Sequence, residues 1–220
     1  MIDLSARRPL KSRSTQWATG LSRGLLRLGV TPNQVSVASS LFAVASAGSM
    51  LFGVPLVGGV VAWLLAATFI QMRLVCNLMD GMLAVEGGLK TPNGDLFNEF
   101  PDRVSDVVIL AAMGYAQGSL VAIVLGWIAA CGALMTACVR MHGATLIGKH
   151  DFRGPMAKPQ RMALATVACI TVAVLRFAEI GWPVLTWALG VMAVGIAITV
   201  VRRLAALSVA LHQRQTHKEP

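Results

Sequence analysis

Between Arg27 and Arg73 the chain carries no Asp, Glu, Lys or Arg. At roughly 20 apolar residues per crossing of the hydrocarbon core, such a stretch has room for two membrane spans, and one long helix of a soluble core does not account for it. The composition agrees: 55% of residues are hydrophobic, 13% are charged and the mean hydropathy is +0.67, where a soluble domain has about a quarter of its residues charged. The chain therefore reads as one membrane domain.

Punctuation along the sequence divides it further. Trp17, Leu21, Leu25 and Leu28 recur on one helical face, with Gln16, Thr19, Arg23 and Arg27 on the other, the pattern of an amphipathic helix lying in the interface. Thr31 and Pro32 form a cap and a first helical position for a span over 33–53. A turn through Gly53, Pro55, Gly58 and Gly59 leads to a second span over 57–85. Further spans are expected over about 94–113, from the GYAQGS turn to Arg140, over 160–177 and over 182–201. The expected fold is an all-α polytopic membrane protein: six transmembrane helices plus the N-terminal interfacial helix. Its divisions are a cytoplasmic N-terminal segment (1–32), a six-span domain (33–208) and a polar basic tail (209–220).

The count of six can be checked against charge. Of the nineteen Lys and Arg, only Arg176 falls in a loop on the far side of this topology. The positive-inside rule then puts both termini in the cytoplasm, and an inner, bacterial cytoplasmic membrane is the expected location. The same asymmetry explains the net charge of +9 without nucleic acid, for which a basic stripe interleaved with stacking aromatics is missing. Cys76, Cys131, Cys138 and Cys169 sit singly in apolar runs and read as small buried hydrophobes. The basic N-terminus lacks the short apolar core and cleavage site of a removable signal and is expected to stay on the protein.

Six of the ten acidic residues, Asp80, Glu86, Asp95, Glu99, Asp102 and Asp106, crowd around one loop. Carboxylates at membrane depth are costly and mark function by default. Asn77, Asp80, Gly81 and Ala84 share one face of the second span; Asn98, Asp102 and Asp106 share one face of the third, with Asp95 and Glu99 on its flank. Two antiparallel helices joined by a short loop would bring these faces together as an oxygen-rich nest suited to Mg²⁺, Mn²⁺ or Ca²⁺ and not to zinc. Gly81 and Gly94 would let a ring or phosphate approach the backbone.

These residues resemble the signature of the CDP-alcohol phosphotransferase family, D-x-x-D-G-x-x-A-R, about eight residues, then G-x-x-x-D-x-x-x-D. Here N-L-M-D-G-M-L-A-V runs from Asn77 to Val85, and G-D-L-F-N-E-F-P-D from Gly94 to Asp102, at matching spacing. TPNQVS at 31–36, Arg140 with MHGA, and GPMAKPQR are similar to the family's segment before its first span and to its basic region between the fourth and fifth. The departures are Asn77, Asn98 and Val85, where the family has two aspartates and an arginine.

The resemblance implies a transferase of phospholipid biosynthesis. It would move a substituted phosphate from a CDP-alcohol, CDP-diacylglycerol first, to an alcohol acceptor and release CMP. Asp80 would bind the metal, Asp102 would be both ligand and general base, and Asn77 and Asn98 would be weaker ligands. Glu99 and Asp106 are expected as auxiliary ligands. Gly81, Ala84 and Gly94 would line the nucleotide site, with Arg73, Lys90 and Arg103 as candidate diphosphate contacts in place of the missing arginine. Arg140, Lys158 and Arg161 would meet the acceptor or its phosphate. The bilayer and a homodimer complete the expected partners.

Plainer readings stand beside these. Asp80 and Asp102 could form intramembrane ion pairs with Arg73 or Arg103, Asp106 could be the buried partner of a basic residue, and Arg140, Lys158 and Arg161 could be headgroup-facing charges. Two other functions are consistent with the sequence: a non-catalytic binder of CDP-lipid, motivated by the asparagines, and a cation-coupled transporter.

Overall fold

The computed structural model describes residues 15–85, 87–89 and 93–216, with the backbone alone for Asp95, Gln215 and Thr216. Among the described residues every regular element is a helix: α1 (Gln16–Arg27), α2 (Pro32–Val57), α3 (Gly59–Val85), α4 (Gly94–Gln117), α5 (Leu120–Ile147), α6 (Lys158–Phe177) and α7 (Val184–Thr216).

The helix boundaries follow local chemistry. At the start of α2 the Thr31 hydroxyl accepts the Gln34 N–H at 3.3 Å and the Gln34 side chain accepts the Thr31 N–H at 2.9 Å, a capping box with Pro32 at the first position. The turn expected over 53–59 shrinks to Gly58, whose φ of +84° suits glycine; α2 continues through Pro55. In apolar surroundings a helix leaves fewer backbone groups unpaired than a loop, and a proline in the last turn forfeits one hydrogen bond. Likewise α7 runs on to Thr216, so the boundary placed at 208 falls inside a helix. Arg214 there donates to Leu146 O at 2.9 Å and Ile147 O at 2.7 Å, a cation on the carboxyl end of α5.

Five helices, α2, α3, α5, α6 and the greater part of α7, are long and apolar enough to cross a membrane. The acid-rich first turns keep α4 outside that set. α2 packs on α3 and α4, α4 on α5, α5 on α7, α7 on α6 and α6 on α3, closing a ring of six. Its interior holds many small side chains, among them Ala43, Ala66, Ala129, Ala130 and Ala133, which let helix backbones approach closely. The approach is closest where α4 meets α5: a Cβ on Gly114 would lie 2.6 Å from Ala122 O, and one on Gly126 2.9 Å from Leu110 O. Outside the ring, Leu41, Phe52, Trp127, Trp187 and Val194 are exposed, an apolar surface far beyond that of a soluble monomer. Cys131 and Cys138 are also exposed there, which corrects their reading as buried.

α1 rests on α3. Ala18 and Ser22 are buried, while Trp17, Leu21 and Leu28 face outward.

The sequence suggested that α3 and α4, joined by a short loop, lie face to face as neighbours. Instead α2 packs against both, and they touch each other little. The acid-bearing faces are therefore brought near each other by α2 and not through an extensive interface of their own helices.

Candidate active site

Asn98, Asp102 and Asp106 descend one face of α4 at successive turns, and their surroundings change with depth. Asn98 is exposed. The Asp102 side chain is 13% exposed and that of Asp106 is 1% exposed.

At the bottom, Asp106 accepts from Arg73 at 2.8 Å on one oxygen and from Arg161 at 2.6 Å on the other. Arg73 is wholly buried and Arg161 nearly so. Arg161 also donates to Thr136 Oγ1 and Met156 O, and Arg73 reaches the Asp102 carbonyl at 3.2 Å. One carboxylate thus ties α3, α4 and α6 together beneath the cleft. Asp106, expected as an auxiliary metal ligand, Arg73, expected as a diphosphate contact, and Arg161, expected as an acceptor contact, are thus paired with one another in this structure. All three groups are spent on one another below the surface, where losing one partner would leave a bare buried charge.

Above this cluster lie the signature residues. Asp80, 4% exposed, accepts from the Ser36 hydroxyl at 2.9 Å and from the Gly81 backbone N–H, and it is close enough to Asp102 and Lys158 for their charges to act on it. The Asp102 carboxylate accepts from Lys158 Nζ and, at 3.5 Å, from Arg73. Gly81 and Ala84, both half-buried, follow Asp80 along α3, and Gly94 opens α4. Lys90 and Glu86 lie outside the described residues, as does the side chain of Asp95.

Beside the cleft, Glu99 receives Arg140 on both oxygens at 2.6 Å and Arg103 one turn along its own helix. Glu99, expected as an auxiliary ligand next to Asp102, is in this structure a shared counter-ion of two arginines. Arg140 lies over the Phe152 ring, 5.6 Å from the centroid, a cation–π contact from α5 to the following loop. In that loop burial would raise the Asp151 carboxyl, but hydrogen bonds and charge from Arg153 hold it below its ordinary range. Next to Glu99 an apolar groove of about 310 Å³ opens between α4 and α5, lined by Leu96, Phe100, Leu134 and Met141.

Whether this set fits a divalent ion turns on Asn77. Among the described residues no three His, Cys, Asp or Glu stand together as an ion site, so Asp80 and Asp102 need a third oxygen. The Ser39 hydroxyl, with one proton, faces two acceptors: Asn77 Oδ1 at 2.9 Å and Arg73 O at 3.4 Å. Asn77 Nδ2, meanwhile, is buried without a partner. Turning the amide end for end settles the first, because Nδ2 then donates to Ser39 and Ser39 donates to Arg73 O, and it puts the carbonyl oxygen in the position without a protein partner. In that orientation Asn77 adds a hard oxygen, of the kind Mg²⁺ or Mn²⁺ takes, one turn from Asp80 on α3.

Two contributors, Ser36 and Ser39, were missed in the sequence. They stand three apart at the start of α2, within and just beyond the TPNQVS stretch, and the helical spacing puts both on the face toward Asp80 and Asn77.

No family model matches the chain. It is 26% identical over 194 residues to the phosphatidylinositol phosphate synthases of Mycobacterium bovis and Mycobacterium tuberculosis, covering 84% of this chain and 83% of theirs. It is 27% identical over 129 residues to a bifunctional IPC transferase and DIPP synthase of Rubrobacter xylanophilus, covering 59% of this chain but only 28% of that protein's length. Among solved structures, that of the M. tuberculosis phosphatidylinositol phosphate synthase with CDP-DAG bound matches with a TM-score of 0.69 at 23% identity, over 88% of this chain and 94% of that one. The same enzyme with manganese and citrate matches at 0.68, also at 23% identity, over 86% and 88% of the two chains. At that identity the structures establish a shared fold. The signature spacing, the relatives matched along most of the chain and the shared fold agree, and the chain is an integral membrane protein similar to the phosphatidylinositol phosphate synthases.

Proposed function

We propose that this protein transfers a substituted phosphate from a CDP-alcohol, CDP-diacylglycerol first, to the hydroxyl of an alcohol acceptor. The acceptor oxygen attacks the β-phosphorus, the bond from that phosphorus to the bridging oxygen breaks, CMP departs, and the hydroxyl proton passes to Asp102. The observation that supports this reading is that Asp80 and Asp102 lie close enough for their charges to act on each other, Asp102 being the one that solvent reaches more freely.

Asp80, Asn77 and Asp102 would hold Mg²⁺ or Mn²⁺, and Asn98, exposed one turn before Asp102, would lend a weaker oxygen. When bound, the ion neutralises charge on the diphosphate. Gly81, Ala84 and Gly94 leave room for the nucleotide. Lys158, Arg140 and Arg103 carry the positive charge nearest the mouth, with side chains 22%, 14% and 20% exposed, and meet phosphates there. The apolar groove beside Glu99 suits an acyl chain, so a lipid substrate keeps its tail in hydrocarbon while its headgroup reaches the cleft.

In the same reading α4 is the sixth span, α1 lies in the interface, and the cleft and both termini face the cytoplasm across an inner membrane. A homodimer belongs to the proposal, and light scattering in detergent checks it.

The test is CMP release by purified protein given Mn²⁺ or Mg²⁺, CDP-diacylglycerol and a panel of acceptors: inositol phosphate, glycerol phosphate, serine and polyols. Release with one acceptor and none from Asp102→Asn supports the reading. A second reading, a non-catalytic CDP-lipid binder, is favoured by one observation, the asparagines at 77 and 98. Binding of CDP-diacylglycerol with no release across the panel would select it.

A further inference from the structure

We infer that Lys158 is a tethered counter-cation that competes with the divalent ion for Asp102, leaving that carboxylate when an ion arrives and so becoming available to an anionic substrate. The inference rests on the reading of Asp102 as an ion ligand, and it concerns what this chain does with fewer signature carboxylates.

Charge balance comes first. Asp80, Asp102 and Asp106 share the cleft and its floor with Arg73, Arg161 and Lys158, so three negative groups already face three positive ones. With aspartate at positions 77 and 98 the cleft would carry two further negative charges and could take an ion while every cation stayed. With Asn77 and Asn98 it cannot: an ion of charge two entering a neutral cluster in a low dielectric leaves an excess that a cation must relieve by moving away.

Only one of the three is placed to move. Arg73 and Arg161 are buried, each held by Asp106 and by further acceptors. Lys158 is 22% exposed on a flexible stem with a compact head. It is also the first residue of α6, where the amino end of the helix repels a cation. The helix does not favour an ammonium there. The bond to Asp102 holds it, and an ion on Asp102 would remove that hold.

The experiment titrates Mn²⁺ into the purified full chain in detergent and follows free Mn²⁺ by electron paramagnetic resonance. Lys158→Met should bind Mn²⁺ about tenfold more tightly than the parent, the scale expected from removing one competing charge at contact distance. Lys149→Met, whose lysine is exposed on the loop between α5 and α6, should bind as the parent does. A second measurement needs no variant: the acetylation rate of Lys158 relative to Lys149, read by peptide mass spectrometry, should rise several-fold with saturating Mn²⁺. Unchanged affinity in a folded Lys158→Met, or acetylation indifferent to Mn²⁺, overturns the inference. CMP release measured alongside separates the two claims. Mn²⁺-dependent release with unchanged affinity overturns only the role of Lys158, whereas neither release nor Mn²⁺ binding in any protein overturns the functional reading with it.

Discussion

Asp102 and Asp106 stand one helical turn apart and do different work. Asp106 spends both oxygens on buried guanidiniums, so Asp106→Asn should destabilise the protein by about 3–5 kcal/mol, the usual consequence of breaking a buried ion pair on one side. Thermal unfolding in detergent reads this. Asp102→Asn should keep the parent's unfolding temperature within a few degrees and abolish CMP release. Ordinary turnover in Asp102→Asn would sink the assignment of the base. The sequence identified the face these residues share, because a four-residue period is enough for that. The signature ranked Asp102 above Asp106, but the sequence could not supply their depth, because the partners Arg73 and Arg161 come from helices distant in sequence. The same limit hid Ser36 and Ser39, which look like ordinary small polar residues of a span until Asp80 and Asn77 are set opposite them.

Among the elements, α2 organises the cleft. It packs on both acid-bearing helices, and its serines reach from one side to Asp80 and Asn77. The extents of most helices were legible from caps and apolar runs. The ends were less so at Pro55 and beyond residue 201, where a helix persists because stopping it would strip backbone groups of partners. The lateral order was not legible either, since the short α3–α4 loop argued for adjacency and packing chose otherwise. Glycine contacts test the α4–α5 seam. Gly114→Ala should cost about 1–3 kcal/mol, because its methyl group would press on the backbone of Ala122 and Ile123. Gly48→Ala, with nothing within 4 Å of the added atom, should cost nothing measurable by the same unfolding assay. Breaking the capping box with Thr31→Ala should cost about 1 kcal/mol.

Taken whole, the molecule is electrically lopsided. The acids of α3 and α4, the basic loop after α5 and the carboxyl end of α7 gather at one end, joined by contacts such as Lys158 with Asp102 and Arg203 with Arg153 O, while Arg176 and Glu179 lie at the other end. With the native cysteines replaced, Arg153→Cys should react with an impermeant thiol reagent only in inverted vesicles and Gly181→Cys only in right-side-out ones. Labelling of both from one side would refute the proposed topology. The buried knot of Arg73, Asp106 and Arg161 has a bearing on biogenesis as well. Arg73 enters the bilayer with α3, its carboxylate follows on α4, and the second guanidinium arrives only with α6. Until α4 arrives the Arg73 guanidinium is an unneutralised charge in oil, at a cost of several kcal/mol. A polypeptide interrupted before α4 therefore advertises its incompleteness to whatever surveys the membrane for failed insertions.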